Sequence, residues 1–475
     1  MHLTIRTRST KAAGRTRTAL VVTAATALAL TAAGCGSGGG GGTAAPSSAG
    51  GASGPDGATG GDAASPAATL KLPDLHGQSL SVAAIWTGAE QKNFQQVLDD
   101  FAKRTGAKTS FVPTGDNVST FLGTKVQGGA PPDVAFLPQV GVLQQFAKAG
   151  WLKPVSAEVD ATLTANYGKG WKDLGAYGGK QYGVYFKAAN KSTVWYNTKV
   201  FADAGVSEPK TWADFLGTAQ TISDSGTPAV SIGGADGWTL TDWFENVYLS
   251  QGGPELYDKL AKHQIKWTDP SVAKALTTLG QLFGKDTLIA GGAKGALQTE
   301  FPASVDQAFA EPPKAGIVYE GDFVAVNIAS ETKAKVGEDA KEFPFPAVDG
   351  GKAPVVSGGD VAVAMKDSPA AQALLTYLAS PEAAAVAAAQ GGFLSPNKSL
   401  DLSVYPNDVA RGIAKSLIDA GDDFRFDMSD QAPAAFGGTK GMGEWKDLQD
   451  FLANPKDVAG AQKKLEADAA KAYGN

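Results

Sequence analysis

The chain has 475 residues, of which 43% are hydrophobic and 19% charged, and its formal net charge is −6 at pH 7. This acidic balance disfavours non-specific binding to DNA, RNA or anionic lipid head groups. The only cysteine is Cys35, which excludes an internal disulfide. His76 and His263 lie far apart, with no spacing typical of a zinc site or a Ser-His-Asp triad. We therefore predict no metal, no cofactor and no nucleic-acid partner.

The amino terminus has the pattern of a secretory signal peptide. The first 34 residues contain five basic side chains and no acid, and an apolar stretch runs from Leu20 to Ala33. That stretch is too short to span a bilayer comfortably. The sequence Ala32-Ala33-Gly34-Cys35 resembles the lipobox of bacterial lipoproteins, although Ala32 stands where Leu is usual. The resemblance implies that Cys35 becomes the lipidated first residue of a mature chain of charge −11. An ordinary signal peptide followed by an unmodified cysteine is the alternative.

Residues 36–69 consist almost entirely of Gly, Ala, Ser, Thr and Pro. Such a segment buries too little apolar surface to fold and is expected to act as a flexible tether, with a reach of roughly 30 Å. No later apolar run reaches the ~18–20 residues of a transmembrane helix, so lipid alone would hold the chain at the membrane. Residues 70–475 exceed what one core usually holds, which predicts two domains or lobes.

The globular part alternates predicted strands and helices. The run Leu80–Trp86 predicts a strand. Phe94, Val97, Leu98 and Phe101 then mark one face of a helix that ends at Gly106. Strands at 108–112 and 133–137 and helices at 118–126 and 142–147 follow, and similar alternation returns at 183–197, 228–232, 315–328 and 355–365. The last hundred residues read mainly helical, for example at 370–378 and 404–417. The expected fold class is α/β, with a sheet covered on both faces.

Seven short segments in order along the globular part resemble the extracellular solute-binding proteins of bacterial ABC importers. They are most similar to the carbohydrate group that includes maltose- and α-glucoside-binding proteins. The block Gly128-Gly-Ala-Pro-Pro-Asp133 is the most recognisable of them. The seven segments are residues 85–90, 128–136, 146–152, 182–186, 194–197, 241–247 and 252–258.

This resemblance implies a type II periplasmic-binding-protein-like fold, in which two α/β lobes joined by hinge strands hold the ligand in a cleft between them. One lobe is expected at 70–188 with a return segment near 325–356, and the other at 189–324 with the C-terminal helices of 357–475. Sugar bridging both lobes would stabilise the closed form, which a membrane permease would recognise. The resemblance thus implies a binding protein rather than an enzyme, monomeric and anchored by lipid at the extracellular face of the membrane.

Sugar binding needs flat aromatic platforms and side chains that bind hydroxyls, and sheets of this kind bind ligands at the carboxyl ends of their strands. Trp86, Thr87 and Glu90 follow the first strand and are candidate contacts. Alternatively, Glu90 is a capping acid and Trp86 packs beneath the cleft. Gln139, after the strand at 133–137, is a fourth candidate. Asp133 is expected to be structural, capping a neighbouring helix.

In the second lobe we expect Trp238 or Trp243 to stack on a sugar ring and Asp242 to accept sugar hydroxyls. The alternatives are that Trp243 belongs to the core and that Asp242 caps the helix. Glu320 is a further candidate contact, in the turn before the chain returns to the first lobe. Phe323 in that turn is either buried or stacked.

The remaining four candidates lie between residues 358 and 436. Gly358 would let backbone N–H groups approach a ligand, and Asp360 would bind one or two hydroxyls, unless both belong to a tight turn. Arg425 offers five hydrogen-bond donors, with an ion pair to Asp427 as the competing explanation. Phe436 is the last candidate.

Two other functions remain open at this point. A non-sugar solute, such as a phosphate compound, a polyamine or iron, would bind the same kind of cleft. A secreted glycosidase needs two carboxylates at a defined separation, and nothing in the sequence fixes such a pair. The glycine-rich segments at 291–295 and 350–352 do not match a phosphate-binding loop.

Overall fold

A computed structural model describes residues 70–474 of the chain. The predicted signal peptide, Cys35 and the tether lie outside the described residues. Within 70–474, no helix combines the length and the apolar character needed to cross a membrane.

Twelve strands and nineteen α-helices are found within the described residues. The strands are β1 (Ser79–Ala84), β2 (Lys108–Pro113), β3 (Val134–Leu137), β4 (Ala176–Tyr177), β5 (Lys180–Gln181), β6 (Gly183–Asn190), β7 (Thr193–Asn197), β8 (Val230–Ser231), β9 (Ile317–Glu320), β10 (Ala340–Pro344), β11 (Val356–Ala364) and β12 (Arg425–Phe426). The helices are α1 (Gly88–Thr105), α2 (Val118–Gln127), α3 (Val140–Lys148), α4 (Ala157–Asn166), α5 (Lys169–Leu174), α6 (Thr198–Ala204), α7 (Trp212–Asp224), α8 (Trp238–Ala261), α9 (Pro270–Phe283), α10 (Gly292–Ala296), α11 (Phe301–Phe309), α12 (Val324–Glu331), α13 (Pro369–Leu378), α14 (Pro381–Ala388), α15 (Asp408–Asp419), α16 (Met428–Gln431), α17 (Ala434–Gly437), α18 (Gly443–Ala453) and α19 (Val458–Tyr473).

The predicted elements of the amino-terminal part are confirmed with small shifts at their ends. In α1 the buried side chains are those of the predicted face, and Gly106 ends the helix in the left-handed conformation with φ of 75°. Val82, Ala83 and Ala84 of β1 are all buried, and Val82 and Ala84 pack in one apolar cluster and Ala83 in another. The strand is therefore covered on both faces, as the α/β pattern predicts.

The first lobe is built on a six-stranded mixed sheet. Parallel strands run in the order β2, β1, β3; β11 pairs antiparallel with β3 and with β6, and β12 pairs parallel with β11. Helices α1, α13 and α14 pack on one face, and α3 packs on the other. The carboxyl ends of β1 and β3 lead directly into α1 and α3, so both helix starts lie at the same edge of the sheet.

The second lobe is built on a four-stranded sheet in the order β10, β7, β9, β8. Strand β7 pairs antiparallel with β10 and β9, and β8 pairs parallel with β9. Helices α7, α8, α9, α18 and α19 enclose its core. The long helix α8 is interrupted at Gly253, where φ of 76° and ψ of 172° break the helical path before Pro254.

The chain crosses between the lobes several times, and the crossings differ from the predicted borders. The predicted return segment at 325–356 includes β10, which pairs with β7 in the second sheet. The predicted second lobe includes β11, which instead lies at the centre of the first sheet, and α13 to α15, whose buried side chains join the first core. Strand pairing is non-local, so the local pattern of a strand does not reveal which sheet it joins.

Candidate functional site

Lys187 is the centre of a polar cluster at the cleft edge of the first sheet. It lies in β6 and is 7% exposed, and its Nζ donates to Oε1 of Glu90 at 2.7 Å and stands 4.0 Å from Oδ2 of Asp360. Nε1 of Trp86 donates to the same Asp360 oxygen at 3.3 Å. The β1–α1 turn, α1, β6 and β11 thus bring these four side chains together. We call Trp86, Glu90, Lys187 and Asp360 the first-lobe cluster.

A β-bulge determines where Lys187 points. Gly359 pairs with Ala188 and Asp360 with Lys187, but Val361 pairs with Tyr185, so Phe186 is an extra residue in β6. Regular alternation would place Phe186 and Lys187 on opposite faces. The bulge re-aims Lys187 towards Trp86, as bulges beside functional sites commonly do.

A second cluster centres on Lys191, in the turn between β6 and β7. Its Nζ donates to Oδ2 of Asp427 at 2.5 Å and lies 3.4 Å from oxygens of Asp242 and Asp430. Asp242 and Asp427 are fully buried. The lack of a side chain at Gly358 leaves room for Lys191, since a Cβ at this position would stand 2.7 Å from Lys191 Cε. We call Lys191, Asp242, Asp427 and Asp430 the hinge cluster, because Lys191 lies on a crossing between the lobes.

Aromatic rings connect the two clusters. Lys187 Nζ stands 5.6 Å from the Trp86 ring and 5.5 Å from the Phe323 ring. Phe323 is 6.1 Å from Trp238, and Lys191 Nζ is 5.8 Å from the Trp238 ring. These distances fit cation–π contacts. Phe323 and Trp238 are both half-buried, so each presents part of an apolar ring surface at the boundary between the lobes.

Burial and charge act in opposite directions on the two lysines. Burial lowers the pKa of Lys187, but Glu90 and Asp360 outweigh it and raise the pKa above its usual value. Burial likewise acts against the charged form of Lys191, and its aspartates raise the pKa well above the usual range. Both side chains are therefore ammonium ions at neutral pH.

The three carboxyl groups of the hinge cluster differ in protonation state. Burial tends to raise the pKa of Asp427, but Lys191 and hydrogen bonds bring it down to about 2. Burial raises the pKa of Asp242 and of Asp430 well above the usual value, and neighbouring carboxylates add to the rise. One lysine thus stabilises one ionised aspartate, and the other two favour their protonated forms, which can donate as well as accept hydrogen bonds.

One ion-pair network crosses directly between the lobes. Lys440, between α17 and α18, donates to Oδ1 of Asp236 at 2.9 Å within the second lobe. Its Nζ also lies 3.5 Å from Oδ2 of Asp116, which follows β2 in the first lobe. Gln139 reaches the same boundary, because a Cβ on Gly438 would stand 3.4 Å from its Cγ. The two lobes therefore contact each other along the cleft in this structure.

Comparison with known proteins identifies the family. Residues 86–385, more than half of the chain, match the family model of the bacterial extracellular solute-binding proteins. The chain belongs to this family. Its members bind solutes and are not enzymes, so the predicted binding role and the resemblance to this family are confirmed, and the glycosidase alternative is not supported.

Two relatives align over most of their length. The alpha-glucosides-binding periplasmic protein AglE of Rhizobium meliloti is 35% identical over 82% of this chain and 87% of its own. The osmoprotective compounds-binding protein GgtB of Synechocystis sp. is 33% identical over 79% of this chain and 89% of its own.

Solved structures of solute receptors share the fold. The bacterial solute receptor AcbH superposes on this chain with a TM-score of 0.72 at 22% identity, and the match covers 83% of this chain and 99% of AcbH. The AcbH structure is described with an exclusive preference for β-D-galactopyranose. RafE in complex with raffinose gives a TM-score of 0.68 at 18% identity over 83% and 99% of the two chains. The predicted two-lobed fold is confirmed, and identities this low support the fold alone.

Five predicted contact residues occupy positions at or beside the two clusters. Trp86, Glu90 and Asp360 form the first-lobe cluster with Lys187, and Trp238 and Asp242 meet Lys191. Gln139 is buried at the lobe boundary, and Thr87 is exposed at the start of α1. Their contact with a ligand remains a prediction.

Four other predicted contacts, Trp243, Phe436, Glu320 and Gly358, are buried in this structure, and their contact with a ligand stays a prediction. Trp243 is 1% exposed and packs against Tyr319 with ring centroids 4.5 Å apart. Phe436, also 1% exposed, packs against Trp267. Glu320 is fully buried, and burial raises its pKa well above the usual value, which favours the neutral acid.

Gly358 lies inside β11 beside the Lys191 side chain, so the alternative of a tight turn at Gly358 and Asp360 is wrong. Two other expectations change in detail. Arg425 pairs with Asp258, at 2.8 Å from Nε to Oδ1, instead of with Asp427. Asp133 is structural but caps no helix, because it accepts hydrogen bonds from the backbone N and Oγ of Ser81.

The sequence reasoning missed both lysines. Lys187 interrupts the apolar run Val184–Ala189, and a buried lysine needs an anionic partner. A charged residue within an apolar strand is therefore the sequence feature that could have identified Lys187 as a candidate. Lys191 lies in a turn, and its three aspartate partners come from two distant segments, so no local pattern points to it. Among residues 70–474 no group of acids and histidines could hold a metal ion.

Proposed function

We propose that this solute-binding protein captures a carbohydrate, an α-glucoside or short oligosaccharide, between the two lobes and delivers it to an ABC permease. The observation that carries the proposal is the meeting of the first-lobe cluster with the half-buried rings of Trp238 and Phe323. Carboxylates and ammonium groups bind sugar hydroxyls, while the rings match the apolar faces of a pyranose. The name of one relative, the alpha-glucosides-binding protein AglE, supports the same solute class.

Capture would work by closure of the lobes. Glu90, Lys187 and Asp360 lie on the first lobe, and Trp238 begins a helix of the second. A ligand that contacts both sides gains contacts only when the lobes approach, so its binding energy favours the closed form. No side chain in this arrangement needs to make or break a bond.

We further propose that the mature protein is monomeric and lipid-anchored through Cys35 at the extracellular face of the membrane. Two or more acyl chains, at ~0.8 kcal/mol per buried methylene, would give a stable anchor. The tether of residues 36–69 would let the binding unit collect solute and still reach a permease in the same membrane.

Calorimetric titration of the full chain with trehalose, sucrose, maltose and maltodextrins tests the proposal. At least one of these sugars is expected to bind, and Glu90→Gln is expected to weaken it roughly tenfold, because a charge-assisted hydrogen bond to Lys187 or sugar is lost. Glu255→Gln is the matched control, since Glu255 also pairs with a lysine on a helix but is exposed. Absence of binding across the panel would refute the carbohydrate proposal.

A further inference from the structure

The loop between α17 and α18, residues 438–442, carries a lysine that contacts carboxyl groups of both lobes. Nζ of Lys440 lies 2.9 Å from Oδ1 of Asp236 in the second lobe and 3.5 Å from Oδ2 of Asp116 in the first lobe. Asp236 comes directly before α8, which begins at Gly237 and Trp238. The lysine therefore lies where the two lobes meet, close in the chain to a ring of the proposed solute site.

Both Asp236 and the loop are fixed in the second lobe. The Asp236 side chain is 6% exposed, and its Oδ2 accepts a hydrogen bond from the backbone N of Phe301 at 2.7 Å, at the start of α11. Oγ1 of Thr439 in the loop donates to the backbone O of Ala434 in α17 at 2.7 Å. Lys440 therefore moves with the second lobe, and of its two ion pairs the one with the first lobe breaks when the lobes separate.

The backbones of the two lobes also approach each other closely near this loop. Gly141, at the start of α3 in the first lobe, faces the segment between α16 and α17, since a Cβ on Gly141 would come within 1.8 Å of the backbone O of Ala432. Glycine at this position removes the side chain that would hold the lobes apart. The ion pair between Lys440 and Asp116 thus lies beside a contact in which the lobes already touch.

The charge of Lys440 decides the sign of the force between the lobes at this point. Asp116 and Asp236 lie on either side of its ammonium group, so without the lysine two carboxylates from opposite lobes would face each other. Burial and the Asp236 carboxylate raise the pKa of Asp116, Lys440 acts against this rise, and Glu300 adds to it. Like charges this close repel one another. Lys440 therefore turns a repulsion between the lobes into an attraction.

We propose that Lys440 is a positioning residue for solute binding, which holds Asp116 of the first lobe against Asp236 of the second and so keeps the lobes together around a bound solute. The effect on the solute rests on the proposed function, whereas the effect on the lobes does not. The ion pair across the lobes forms only when the lobes are in contact. It therefore slows the dissociation of a solute and has little effect on the rate at which a solute enters the cleft.

The distance between the lobes in the ligand-free protein tests the effect on the lobes. Spin labels are attached to Lys125→Cys on α2 of the first lobe and to Lys294→Cys on α10 of the second, in the full chain with Cys35→Ala. Both labelled positions are exposed. Double electron–electron resonance is measured at pH 8, which favours the ionised carboxylates. Lys440→Met should add a population at longer distance, because the two carboxylates then repel each other.

A second substitution and a control separate charge from packing. Adding Asp116→Asn to Lys440→Met should remove the longer distances, because no repulsion remains between the lobes. Lys446→Met breaks an ion pair of similar exposure within α18 and should leave the distances unchanged. Distances in Lys440→Met equal to those of the unmodified protein, or a double variant as open as Lys440→Met, overturn the proposal.

Stopped-flow kinetics test the effect on the solute, with whichever of trehalose, sucrose, maltose and maltodextrins binds most tightly. Lys440→Met should raise the dissociation rate by up to about fivefold, as expected for a partly exposed ion pair, and leave the association rate within about twofold. Lys440→Arg keeps the charge and should keep both rates. An unchanged dissociation rate in Lys440→Met overturns the role in solute binding. If no sugar binds while the distances change as expected, the proposed function fails and the effect on the lobes stands.

Discussion

Replacing Trp238 with alanine should weaken sugar binding, whereas replacing Trp243 should mainly destabilise the fold. Trp238 is half-buried at the start of α8, 5.4 Å from the Phe301 ring, with the Lys191 ammonium 5.8 Å from its own ring. Trp243 is 1% exposed, with Tyr319 at 4.5 Å. Removing a core tryptophan costs about 3–5 kcal/mol. Loss of one stacking ring at Trp238 costs about 0.5–1.5 kcal/mol of binding energy, a factor of about two to ten in Kd.

Calorimetry with the best-binding sugar and urea unfolding of the same samples separate the two effects. Trp238→Ala should raise Kd and leave most of the free energy of unfolding. Trp243→Ala should lower that free energy by several kcal/mol, while the folded fraction binds with nearly normal affinity. If Trp243→Ala raised Kd as much as Trp238→Ala at full folding, or if Trp238→Ala left Kd unchanged, the assignment of Trp238 to the site would be refuted.

Three further predictions concern closure, pH and anchoring. Lys440→Met removes the ion pair with Asp116 across the lobes and should raise the Kd for sugar by at most about fivefold, as expected for a partly exposed ion pair. This rise in Kd should become smaller at high salt. Lys446→Met is the control: it breaks an ion pair within α18 and should leave Kd unchanged. Burial raises the pKa of Asp322 to about 7, so the contribution of this side chain to stability is present below about pH 4 and is lost as pH rises towards 7. Urea unfolding of Asp322→Asn between pH 4 and 8 should show a smaller loss of unfolding free energy than the unmodified protein. An unchanged dependence of that free energy on pH would contradict the raised pKa. Cys35→Ala should release a protein that still binds sugar, measured as binding activity in the soluble fraction; loss of binding in a folded protein would place Cys35 in the site.

Local sequence patterns were enough to predict the strand–helix units. The spacing of Phe94, Val97, Leu98 and Phe101 predicts the buried face of α1, and Gly106 supplies the left-handed residue that ends the helix. Period and capping act over a few residues, so they can be read without knowledge of the fold. Strand β11, in contrast, was placed in the wrong lobe, because its partners β3 and β6 lie far away in the chain.

The site shows the same division at the level of single side chains. Trp86 follows the end of β1, Glu90 and Trp238 lie in the first turns of helices, and Asp360 lies within β11. The resemblance to solute-binding proteins indicated the segment that contains Trp86 and Glu90. Trp243 lies only five residues after Trp238, yet one faces the core and the other the cleft. Helix direction, which is set by packing against the second sheet, decides between them.

The α/β class, the family and the candidate segments follow from the amino-acid sequence, because these depend on residue type and on short-range spacing. The contact of Lys187 with Glu90 and Asp360 depends on the three-dimensional fold, because a bulge opposite β11 turns the lysine towards Trp86. The fold also surrounds Lys191 with aspartates from α8 and from the segment after β12. A buried charge is stable only where distant segments converge on it, and such convergence is a property of the fold rather than of any stretch of sequence.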